Sequence, residues 1–254
     1  MRMLFVRGAC ALIGLAVLSG EAQAQNAERV PPNERWSVSP RASYVWPGDL
    51  FRHEYTLSQQ TPAGEFETGH LERLRVEPLS MLALQVKYRL TNDWMVGLDV
   101  DYGNGTFEYH RRGTTSERRV MSEASLTSIG LIFGRRVALL HTMDVELGLG
   151  AWAQRFTLAK DTEPCPRSLG VITHCGITGP WADSYTVPSF GARIELHRHI
   201  ARRIGVELGA TYSVGRADTK SFWRDLIPEF DAYEAPTTYW VHTPRLFGGV
   251  ALRL

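Results

Sequence analysis

From residue 94 to residue 103 the chain keeps two sets of side chains apart. Trp94, Val96, Leu98, Val100 and Tyr102 take the even positions, while Gly97, Asp99, Asp101 and Gly103 take odd ones. Successive side chains of a β-strand point to opposite faces, so this stretch predicts a strand with one oily face and one polar face. The same period recurs at the C-terminal end. Leu246, Gly248, Val250, Leu252 and Leu254 alternate there with Arg245, Phe247, Gly249, Ala251 and Arg253. Left unpaired, such a strand is an adhesive sheet edge. Pairing it with another amphipathic strand, Trp36 to Trp46, closes the sheet on itself.

Five more segments complete the pattern. Leu79–Leu90 sets Leu84, Val86, Tyr88 and Leu90 against Gln85, Lys87 and Arg89. In Val120–Phe133 the parity is ambiguous, and Thr127, Ile129, Leu131 and Phe133 are placed outward. Met143–Leu158, Tyr185–Leu196 and Ile204–Val214 alternate clearly, and Thr237–Leu254 ends the series. Short connections at 91–93, 134–142 and 197–202 interleave with long polar stretches at 47–76, 104–118, 160–184 and 216–236. The expectation is all-β: an eight-stranded antiparallel up-and-down transmembrane β-barrel with short periplasmic turns and four long extracellular loops.

Polarity decides which face meets the surroundings. The aliphatic face is nearly free of charge, whereas the other carries Asp99, Asp101, Glu146, Arg193, Glu195 and Glu207 among many glycines. Trp36, Tyr44, Trp46, Tyr88, Trp94, Tyr102, Tyr212, Tyr239 and Trp240 gather near strand ends, as the aromatic belts of a bilayer-spanning barrel do. Residues 1–24 read as a cleaved secretory signal: Arg2 and Arg7, an apolar core from Gly8 to Leu18, and Ala22-Gln23-Ala24 as the cleavage site. Residues 25–33 form a short periplasmic tail, and 34–254 one barrel domain. With 28 Lys+Arg against 27 Asp+Glu, no charge bias points to nucleic acid.

An eight-stranded barrel is only wide enough for its own side chains. The inward Asp99, Asp101, Glu146, Arg193, Glu195 and Glu207 are therefore expected to pair across the lumen as a charge network, without a cofactor, metal or catalytic site. Cys165 and Cys175, close together in an exported chain, are expected to form a disulfide. Arg111, Arg112, Arg118 and Arg119 are candidates for contact with lipopolysaccharide phosphates. A lipid A-modifying enzyme is the catalytic alternative. None of the eight histidines has Ser two places on, and the one grouping available is Asp183-Ser184 with His53 or His174. A narrow channel for small or hydrophobic solutes is the other alternative; it needs a gap in the lumen or an opening in the wall.

The signal sequence, the eight-strand meander and the terminal strand together resemble the small outer-membrane barrels of the OmpA/OmpX-like kind. The resemblance runs along the whole mature chain and rests on pattern. It implies a monomer held in outer-membrane lipid and lipopolysaccharide, and delivered by the barrel-assembly machinery. In such barrels the last residue is usually aromatic; here it is Leu254, with Val250 and Leu252 keeping the alternation of the insertion signal.

Overall fold

The computed structural model describes residues 35–62, 64–112, 117–140, 143–160, 181–201, 203–218 and 238–254. Ten strands run β1 (Trp36–Val45), β2 (Gly48–Thr61), β3 (Gly64–Val76), β4 (Leu79–Arg89), β5 (Trp94–Arg112), β6 (Glu117–Leu140), β7 (Met143–Lys160), β8 (Trp181–Ala201), β9 (Ile204–Asp218) and β10 (Thr238–Arg253). They pair in the order β2-β3-β5-β4-β1-β10-β9-β8-β7-β6, and β6 joins β5 to close the ring. β1 and β2 are one stave bent at Trp46-Pro47; β3 and β4 are one stave broken at Glu77-Pro78. The result is the expected eight-stave antiparallel barrel.

Proline causes both breaks, because it cannot donate to a ladder. After the first, Gly48 takes φ +69°, which a Cβ would disfavour. The chain then bulges between Asp49 and Phe51, which turns both Leu50 and Phe51 inward. Pro40, which also cannot donate, sits within β1. Its register with β4 is unbroken, whereas the register with β10 passes from Val38↔Leu252 to Arg41↔Gly249.

The terminal strand pairs with β1 as expected, from Ser37↔Arg253 to Val45↔Arg245. Leu254 N–H donates to the Trp36 carbonyl at 3.0 Å. Above, the Trp46 N–H reaches the Pro244 carbonyl at 3.0 Å. Higher still, no ladder joins β2 to β10 among the described residues, although the two strands touch.

The outward set is as expected, including the ambiguous strand: Ile129, Leu131 and Phe133 are exposed while Leu126, Ser128 and Ile132 are buried. Leu82, Leu98, Leu149, Phe190, Leu208 and Leu246 continue this apolar band around the ring. Aromatic groups edge it: Trp36 against Tyr88 and Trp94 against Phe133 below, Tyr44 against Trp46 above. Trp94 to Tyr102 is eight steps of about 3.4 Å, so roughly 27 Å along a tilted strand, enough for the lipid band.

Two stretches expected as loops differ. Residues 47–76 fold largely as the β2–β3 hairpin, and 104–112 and 117–118 as the extended ends of β5 and β6. Both rise beyond the lipid band. Their outer faces carry Arg52, Glu54, Glu65, Glu67 and Thr106, all exposed. The signal segment, the tail and Cys165 and Cys175 lie outside the described residues.

Candidate functional site

The lumen is filled in three tiers. The lowest is ionic and gathers side chains from seven strands. Arg41 Nε donates to Glu207 at 2.8 Å, and its Nη2 lies 3.0 Å from Glu195. Lys87 Nζ stands 2.9 Å from Glu146 and 2.6 Å from Glu195. Arg193 Nη1 reaches Asp99 at 2.6 Å while its Nε donates to Glu195 at 3.0 Å. Arg245 pairs with Asp101. His197 Nε2 lies 2.6 Å from Glu207 and 3.1 Å from Glu195, off the line of a good hydrogen bond. These groups are buried, and a buried charge is tolerable only with such partners.

Aromatic rings and glycines fit this layer together. The Phe247 ring is held between the guanidinium carbons of Arg41 and Arg193, 4.8 and 4.2 Å from its centroid. A Cβ at Gly209 would clash with the edge of that ring, and one at Gly130 or Gly150 with the edge of the Trp152 indole. The small residues noted in sequence are where large ones need room.

The middle tier is neutral and hydrogen-bonded. Thr243 Oγ1 donates to Gln154 Oε1 at 3.1 Å, and Gln154 Nε2 donates to Ser213 at 3.2 Å. Ser128 and Ser189 are buried at this height.

The upper tier is apolar apart from the buried Glu72, which accepts from the Tyr55 hydroxyl at 3.2 Å. Val45, Leu50, Phe51, Leu74, Val76, Leu79, Met81, Phe107, Tyr109, Leu126, Phe156, Leu158, Tyr185, Val187 and Val241 form one buried cluster. Each fully buried large side chain contributes about 1.5–3 kcal/mol by leaving water. The change of polarity happens on every stave: Asp101 gives way to Phe107 on β5, Gln154 to Phe156 on β7, Ser189 to Val187 on β8, Thr243 to Val241 on β10.

The six charges named from sequence thus lie in one tier, each with partners across the lumen or beside it. Arg41, Lys87, His197 and Arg245 were missing from that set. Strand parity puts Arg41, Lys87 and Arg245 on the same face as those six and could have found them. The arginines considered for lipopolysaccharide contact sit at the top of the β5–β6 hairpin, with Arg111 opposite Arg118, Arg112 opposite Glu117, and His110 opposite Arg119. Arg112 is exposed.

The grouping weighed for catalysis is spread over β2 and β8. Ser184 is exposed and accepts from Arg155 Nη2 at 3.3 Å. His53 stacks on Tyr55 with centroids 5.1 Å apart, and burial pushes its imidazole below the usual value. His174 and the Asp183 side chain lie outside what is described.

No protein-family profile matches the sequence, and no curated protein does. Solved structures do. The outer membrane protein OprG from Pseudomonas aeruginosa aligns over 87% of this chain and 96% of its own, at 11% identity and a TM-score of 0.50. Neisserial surface protein A aligns over 86% and 97%, at 13% identity and a TM-score of 0.47. The outer membrane protein AlkL aligns over 91% and 96%, at 10% identity and a TM-score of 0.44. The fold, with its outward apolar band, is that of an eight-stranded membrane β-barrel, the fold it shares with OprG.

Proposed function

We propose that this barrel is a closed scaffold in the outer membrane that acts through its extracellular hairpins rather than by conducting solutes. The observation that carries the reading is the lumen itself: an ionic tier, a hydrogen-bonded tier and an apolar tier lie one above another. A hydrated ion crossing it would have to displace Lys87 and Arg193 from their carboxylates and then pass an oily plug. In planar bilayers the purified protein is expected to give no unitary current steps. Reproducible steps would overturn the reading.

Recognition then falls to the rigid hairpins β2–β3 and β5–β6. Arg111, Arg112, Arg118 and Arg119 are suited to lipopolysaccharide phosphates by charge and height. Changing all four to Ala should release lipopolysaccharide that co-purifies with the barrel. Val250, Leu252 and Leu254, all exposed on the lipid side, fit an assembly signal read during insertion. Leu254→Asp is expected to prevent a folded, heat-modifiable barrel from reaching the outer membrane. A catalytic role in lipid A modification would reveal itself as a changed lipid A mass in cells carrying the protein.

A second reading has one specific observation in its favour. Among the described residues the wall carries no ladder between β2 and the upper part of β10, and the lumen at that height is apolar apart from Glu72. A hydrophobic solute could enter there from outside and leave sideways just above the lipid band. Phe51 packs against Tyr239 at this seam, centroids 5.7 Å apart. If Phe51→Ala speeds uptake of a hydrophobic dye into vesicles, the seam conducts such solutes. An unchanged rate removes this reading.

A further inference from the structure

The opposite mouth of the barrel presents a different problem. Five guanidinium groups, of Arg35, Arg89, Arg135, Arg136 and Arg253, stand around the periplasmic rim; Arg253 is engaged by His199 at 2.7 Å, and the nearby carboxylates among the described residues are Asp93 and Asp144. Those two are already engaged. Asp93 lies 3.8 Å from Arg135. Asp144 holds His199 at 2.8 Å and lies 3.7 Å from Arg136. Glu146, just above, is taken by Lys87 at 2.9 Å and approached by Arg136 at 3.7 Å.

Among the described residues cations are therefore in surplus at Arg89 and Arg136, and two observations locate the surplus. No side-chain hydrogen bond or close ion pair reaches the Arg89 guanidinium among the described residues; the like charges of Arg136 and Arg253 bear on it more strongly than the opposite charges of Asp144 and Glu146. Arg136 Nη1 is buried without a hydrogen bond. Both side chains line one recess, about 430 Å³ counted out to its open mouth, together with Arg35, Arg253, Lys87 and His197. Its floor is the ionic tier of the lumen. Backbone bonds fix its rim: Arg89 N–H donates to the Arg35 carbonyl at 2.9 Å, and Arg136 N–H to the Asp93 carbonyl at 2.7 Å. The cations are thus gathered by the ladder itself, against their mutual repulsion.

We propose that this recess is a binding site for a phosphate group, held chiefly by Arg89 with Arg136 and Arg253. Guanidinium donors are planar forks that match phosphate oxygens, and an anion here would relieve the clustered charge. The group can belong to a free periplasmic phosphate or to the headgroup of an inner-leaflet phospholipid. The chemistry at the arginines is the same in both.

The test uses the full mature barrel in a sugar-headed, non-ionic detergent, titrated with inorganic phosphate by calorimetry. Saturable binding is expected. Arg89→Gln should weaken it about tenfold or more, the scale of one charge-assisted hydrogen bond. Arg253→Gln is the second variant should the first not fold, and heat-modifiability confirms folding of each. Arg52→Gln, on the exposed extracellular hairpin, should leave binding unchanged. Adding phosphatidylglycerol to the micelles separates the two sources: competition with phosphate marks a headgroup seat, and its absence marks a site for the free ion. The proposal is overturned if wild type binds no phosphate, if folded Arg89→Gln and Arg253→Gln bind as wild type does, or if Arg52→Gln loses binding equally.

Discussion

The lower and upper halves of this barrel are built on opposite principles. Below, charge lies inside and oil outside: Arg41, Lys87 and Glu195 face the axis, while Leu82, Leu131 and Leu208 face lipid. Above, Phe107, Phe156 and Leu158 face the axis, while Arg52, Glu54 and Thr106 face outward. One set of staves is thus a membrane barrel at one end and has the polarity of a water-soluble barrel at the other. What changes is the medium outside. Lipid takes up the apolar side chains and leaves the lumen to polar ones. Water takes the polar ones and drives the apolar ones inward.

The two halves should therefore fail differently. The largest loss is expected in the ionic tier. Glu195→Gln keeps the shape but leaves Lys87, Arg41 and Arg193 short of a counter-charge, and breaking a buried ion pair in this way costs about 3–5 kcal/mol. A large drop in the urea midpoint of unfolding from lipid vesicles would show it. An unmoved midpoint would mean that water, not Glu195, holds those cations. In the oily tier, Phe156→Ala should cost about 3 kcal/mol through lost burial and a cavity. If that half were water-filled, the same change would hardly register in the urea titration. Gly130→Ala forces a methyl against Trp152 and should cost about 1–3 kcal/mol by overpacking. Its signature is a shifted tryptophan emission in a barrel that still folds. Arg52→Ala, whose partner Glu54 is as exposed as itself, should leave the urea midpoint unchanged, because water screens such a pair.

How far the sequence could be read follows from the same division. Where lipid lies outside, period two is strong, and Trp94 to Tyr102 could be oriented residue by residue. Above the band the pattern reverses its phase. Phe107 and Tyr109 turn inward beside an exposed Thr106, and with Asn104, Gly105 and the run His110 to Arg112 around them the stretch reads as a polar loop. The β2–β3 hairpin was hidden likewise by Pro47, by the bulge at Leu50 and by its water-facing Arg and Glu. In the ionic tier, parity identifies the acids and Arg193, but pairing across a lumen leaves no local trace. Arg41 finds Glu207 across 166 residues, and Lys87 finds Glu195 across 108. Arg41 stood alone among Ser37, Ser39 and Ser43, and so drew no notice as a member of a charged set.

The hydrogen bond between Leu254 and Trp36 has a kinetic consequence. The staves it joins lie more than 200 positions apart in the chain, so their meeting is the entropically costliest contact and is expected last. Until then Arg41 hangs on one free edge, and Glu195 and Glu207 lie on the far side of an open sheet, where water can solvate all three. Ring closure is thus the step that desolvates the charges and supplies their partners together. It makes the last ladder a commitment point: before it the ionic tier does not exist, and after it the barrel cannot reopen without exposing every pair at once.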